Sequence, residues 1–188
     1  MQINQEYKDA IDLERGRAID AFAKLESTLC WILSEAGRLE YQTASTIFYS
    51  NISLQPRVEI ISAIIEEMCG AKFEVFWASA CKAINSLNKQ RNKIVHWHSY
   101  PVYDGKKELE NTKFTLIHPV IKGEKFSELS THDIGQFIEK TNYLINVLSK
   151  FRLCFDSSIP VLQKIEIELF ATNVFKFPPV ENDPFISN

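Results

Sequence analysis

Residues 73–98 read FEVFWASACKAINSLNKQRNKIVHWH, and their spacing decides the fold. Phe73, Trp77, Ala80, Ile84 and Leu87 step by four, three, four and three residues, so they share one stripe of an α-helix. The next step of four lands on Arg91. An arginine in line with an apolar stripe is costly unless something satisfies it. Arg91 is therefore expected to project toward a neighbouring helix or a subunit interface, not straight into water. Asn92 flanks the stripe, and His96 follows on the same flank, about 40° away at about 100° per residue. Arg91 and His96 stand about 140° apart on an ideal helix, so they converge only where the helix ends or where two helices meet.

Upstream, a long helix over about 4–36 places Tyr7, Ile11, Ala18, Phe22, Leu25, Leu29 and Ile32 at helical spacing, with Gly37 as its stop. A short helix is expected over 43–49. A third opens at Ser53, tolerates Pro56 in its first turn, turns Val58, Ile61, Ile65 and Met68 inward, and ends at Gly70. Downstream, 97–103 and 113–118 read as extended, and Asp104-Gly105 between them signals a β-hairpin. Ser130 and Asp133 form a capping-box pattern that opens a fifth helix, lined by Ile134, Phe137, Thr141, Leu144, Leu148 and Phe151. The stretch KIEIELF fits a strand, and PVLQKIEIELF fits a helix equally; FPPVENDPF reads as an extended tail. The expected fold is mainly all-α: an up-and-down bundle of four to five helices in residues 1–156. A small hairpin is inserted at about 97–118, and a C-terminal extension covers 157–188.

The 188 residues suffice for one sizeable core, and thirteen phenylalanines against six glycines favour a well-filled helical one. A net charge of −3 argues against a broad nucleic-acid or membrane surface, so any polyanion site is local. Cys30, Cys69, Cys81 and Cys154 form no CxxC pair, which points to a reducing compartment, the cytoplasm. No apolar run reaches the roughly 18 residues of a membrane span. P-loop, GxSxG and GxGxxG patterns are absent from the sequence.

One window stands apart chemically. From Val75 to Tyr103 there is no Asp or Glu, while Lys82, Lys89, Arg91, Lys93, His96 and His98 all fall within it. An anion would meet mainly positive potential there. Trp97 and Tyr100 add aromatic faces of the kind that stack on bases. Lys89, Lys93, Trp97, His98 and Tyr100 are accordingly the candidate RNA-binding residues.

RNKIVHW resembles the signature of the HEPN superfamily: an arginine, often followed by Asn, Asp or His, then a histidine four to six residues after the arginine at the end of a long helix. The match falls on Arg91, Asn92 and His96. The order of helices, with FAKLESTLCWIL, then LQPRVEIISAI, then the motif helix and a closing amphipathic helix, is similar to that family over about 4–155. The resemblance implies a metal-independent endoribonuclease that acts as a homodimer with its motif helices facing each other, without cofactor. It also implies a toxin or phage-defence role with a cognate antitoxin as partner. Arg91, Asn92 and His96 would be the catalytic residues. RNA carries its own nucleophile in the 2′-OH, so histidine suits the proton transfer and arginine the phosphate charge.

Other readings stand beside this one. Arg91 could pair with Glu14 of the first helix, and His96 could cap its own helix against the macrodipole. His96 and His98, with His118 opposite His98 and Asp104 at the hairpin tip, would form a metal site if Tyr103 pairs with Lys113. A catalytically inactive dimeric module that binds nucleotide or an antitoxin is the non-enzymatic alternative.

Overall fold

The computed structural model describes residues 5–102, 113–119, 128–156, 158, 160–181 and 183–186. The expected turn at Asp104-Gly105 lies outside the described residues. Among them, the helices are α1 (Gln5–Ala36), α2 (Tyr41–Ser50), α3 (Leu54–Cys69), α4 (Glu74–His96), α5 (Thr131–Arg152) and α6 (Pro160–Thr172). A 3-10 turn, Gly70–Phe73, leads into α4. Strands β1 (His98–Val102), β2 (Lys113–Ile117) and β3 (Glu128–Leu129) form an antiparallel sheet in that order. The fold is mainly all-α with a small inserted sheet. No described helix is long and apolar enough to cross a membrane.

Local chemistry sets the helix ends. Past α1, Gly37 donates its N–H to the Leu33 carbonyl, and Arg38 carries the positive φ of 52°. A Cβ on Gly37 would sit 2.8 Å from that same carbonyl oxygen, so glycine serves close approach there while Arg38 makes the turn. The α3 N-cap is Ser53 as expected, although its hydroxyl makes no capping bond. Gly70 ends that helix with φ 58°. At α5 the capping box closes fully: the Ser130 N–H donates to Asp133 Oδ2 (2.8 Å), and the Asp133 N–H to Ser130 Oγ (3.2 Å).

The chain forms two compact units, 1–22 with 87–139 and 23–86 with 140–188. In the first, Ile11, Phe22, Leu87, Ile94, Leu116 and Phe137 are buried, with the Phe22 and Phe137 rings stacked at 6.3 Å. In the second, Phe73, Phe76, Phe151, Phe170 and Phe185 build an aromatic cluster with ring centroids as close as 4.6 Å, between Phe76 and Phe170. The C-terminal extension thus contributes core: the ambiguous KIEIELF is helical because Phe170, fully buried, anchors α6, while Ile165 of the apparent alternation is exposed. Two other expectations need correcting. Tyr7 near the start of α1 and Met68 near the end of α3 are exposed, not inward-facing, because the burial pattern stops short of both helix ends.

Candidate functional site

Every residue of the proposed motif lies in the first unit, on the last turns of α4. The stripe holds as read: Phe73, Trp77, Ala80, Ile84 and Leu87 are all buried. Arg91, between buried Leu87 and Ile94, is half-buried, and its guanidinium carbon lies 5.7 Å from the centre of the Phe22 ring. The cation rests on an aromatic face while its stem covers apolar surface. Its Nη1 donates to Asn92 Oδ1 at 3.1 Å. Glu14 is not its partner, since that carboxylate accepts from Arg17 at 2.6 Å. Arg57 in the second unit shows how this chain treats a structural arginine: 8% exposed, bonded to Glu26 at 2.6 Å and to the Asn51 carbonyl at 2.8 Å. Among the described residues Arg91 has no such clamp.

The end of α4 is held from elsewhere. The Trp97 N–H closes the last turn on the Lys93 carbonyl at 2.9 Å. The Ile94 and Val95 carbonyls accept from Arg15 of α1, through Nε at 3.1 Å and Nη2 at 3.2 Å. A helix leaves its last carbonyls without intrahelical donors, and a cation at that end also complements the macrodipole. Arg15 does both, so His96 is not the cap of its own helix. Among the described residues no hydrogen bond, ion pair or ring contact engages His96, whose imidazole is exposed. No hydrogen bond joins it to Arg91 or Asn92 within the chain. Sequence reasoning missed Arg15. A side chain reaching the backbone 79 residues away leaves no periodic trace.

The surrounding candidates divide. Lys89, Lys93 and His98 are exposed, and Tyr100 is 47% exposed with its ring 6.5 Å from that of His98 on β1. Trp97 is only 7% exposed, edge-on to His118 at 5.6 Å, with the Lys93 ammonium 5.2 Å from its ring centre. Its indole is a packing group in this chain and offers no open face to a base. The metal reading fails on register. His98 pairs with Ile117, and Val102 pairs with Lys113, one residue away from the pairing that would set His98 opposite His118. A slip of one residue reverses the face, so His118 lies against Trp97 instead. Asp104 lies outside the described residues.

A cleft of about 400 Å³ in the second unit holds none of these residues. Its Ser62 hydroxyl accepts from the Trp77 indole N–H at 2.8 Å, and burial pushes the Cys81 thiol up to about 11, so neither is an activated nucleophile. Compared with family models, with curated proteins and with solved structures, the chain matches none.

Proposed function

We propose that the chain is a metal-independent endoribonuclease of HEPN type, with His96 moving the proton, Arg91 stabilising the phosphate charge and Asn92 supporting. One observation carries this reading: an exposed imidazole, unengaged among the described residues, ends α4 just past the Arg91–Asn92 pair, in a stretch of sequence free of carboxylates. A histidine with no structural partner at a helix end that another residue caps is free for chemistry. With its Oδ1 taken by Arg91, Asn92 keeps its NH₂ as a donor for a phosphate oxygen. Lys89, Lys93, His98 and Tyr100 border the site as contacts for RNA; Trp97 supports them from beneath.

The reaction needs two proton transfers. The 2′-oxygen attacks phosphorus, its proton passes to a neutral imidazole, and the P–O5′ bond breaks as the 5′-oxygen takes a proton from an imidazolium. In a two-fold homodimer each protomer brings one His96, so that one imidazole accepts the proton and the other donates one. Arg91 then reaches the non-bridging oxygens, whose charge rises as the phosphorane forms. A toxin or phage-defence setting in the cytoplasm, held in check by an antitoxin, follows from the resemblance.

Incubation of single-stranded RNA with the purified chain in EDTA tests this. The expected products end in 2′,3′-cyclic phosphate and 5′-OH. RNA that is bound and left intact would instead make the chain a binding module, and cutting that requires added metal would overturn the mechanism.

A further inference from the structure

Among the described residues His96 has no hydrogen bond, ion pair or ring contact of its own, so its place is inherited from the backbone of the last turn of α4. That turn is tied down at two carbonyls by one side chain. We propose that Arg15 is a positioning residue for His96, fixing through the Ile94 and Val95 carbonyls where the imidazole stands; this rests on the ribonuclease reading above.

Three features give Arg15 that role. Its Nε and Nη2 are spent on the two carbonyls, at 3.1 and 3.2 Å, and its Nη1 stands 3.7 Å from Asp12 Oδ1. The fork spans consecutive carbonyls, which a lysine cannot reproduce with equal rigidity. Finally, Ile94 and Trp97 are both buried on either side of His96, so the main chain there is set by core packing up to the point where Arg15 takes over. Unsatisfied terminal carbonyls fray a helix end, and displacement of a reacting group by about 1 Å can cost about 10²-fold in rate.

The test uses the full chain as wild type, Arg15→Ala and Arg15→Lys, with cleavage kinetics in EDTA and amide hydrogen exchange. Arg15→Ala should lower kcat by about 30- to 100-fold and leave KM within about threefold. Arg15→Lys should recover part of kcat, because it restores charge at the helix end without the fork. In Arg15→Ala the Trp97 amide, bonded to the Lys93 carbonyl, should exchange at least about tenfold faster, with the Leu148 amide unchanged. An unchanged kcat, or a loss confined to KM, overturns the proposal, as does an unchanged Trp97 amide. Should Arg15→Ala fail to fold, Arg15→Lys decides: a partial loss of kcat at unchanged KM with faster Trp97 exchange supports the proposal, and wild-type values of both overturn it. Should the wild type cut no RNA, the ribonuclease reading fails on its own. Trp97 exchange then still decides whether Arg15 holds the helix end.

Discussion

Replacing Arg91 and His96 by alanine, one at a time, separates a site from a scaffold. The Arg91 guanidinium over Phe22 contributes about 0.5–1 kcal/mol at a half-exposed position. Its hydrogen bond to Asn92 is exposed and adds at most about 1 kcal/mol. Arg91→Ala therefore costs about 1–2 kcal/mol, small beside a total of about 5–15 kcal/mol. With a urea m-value of about 2 kcal/mol/M, the midpoint drops by about 0.5–1 M. His96 is exposed and makes no hydrogen bond, ion pair or ring contact among the described residues, so His96→Ala changes stability by less than about 0.5 kcal/mol. Urea denaturation followed by tryptophan fluorescence and circular dichroism reads both values. Arg91→Met, which keeps most of the stem and loses the charge, should fall between wild type and Arg91→Ala. A cost above about 3 kcal/mol for Arg91→Ala, of the size expected for a broken buried pair, would refute the reasoning. So would a His96→Ala midpoint well below that of wild type, since it would reveal a structural partner for the imidazole.

Phe170→Ala should destabilise the protein by about 3–5 kcal/mol, because the ring is fully buried among Phe76, Phe151 and Phe185; an unchanged melting temperature would show that α6 is an appendage. Hydrogen bonds from the Ser130 hydroxyl and N–H hold the Asp133 carboxyl below its ordinary value. The folded state thus binds fewer protons than the unfolded one, and this stability is present above the unfolded value of about 3.9 and lost as pH falls through the lower folded value. Between pH 5 and pH 3 (assay settings of about that range) the wild-type urea midpoint should fall more than that of Asp133→Ala, and parallel slopes would contradict this. Cys81, with its thiol pushed up to about 11 by burial, should resist iodoacetamide in the native state at neutral pH, as read by peptide mass spectrometry; rapid labelling would mean the cleft is open.

What could be read from residue order was what leaves a periodic or local trace. The stripe from Phe73 to Leu87 repeats with the helix turn, and the Ser130–Asp133 box acts within four residues, so both were legible. The pairing of β1 with β2 was not, because it depends on how many residues the tip consumes, and a shift of one residue moved His118 from beside His98 to against Trp97. Alternation did hold information about Trp97 that was overlooked. Neighbours on a strand face opposite ways, so Trp97 and Tyr100 could not both be assumed open on one face. The two-residue strand Glu128–Leu129 is too short to carry any pattern. Helix α6 was ambiguous because its outcome rests on a tertiary contact, Phe170 in the aromatic cluster. Arg91 and His96 were visible as an interruption of the stripe, whereas the arginine that holds their helix end, Arg15, is defined only by the fold.

The most direct test of the central claim is the rate at which wild type and His96→Ala cleave single-stranded RNA in EDTA, measured in single turnover with excess enzyme. Excess enzyme removes differences in product release, so the ratio reports the proton-transfer step. The account predicts metal-independent cutting by the wild type and a loss of about 10²–10⁴-fold in His96→Ala, with the urea midpoint unchanged. Equal rates for the two proteins, or no cutting by a folded wild type, would contradict it.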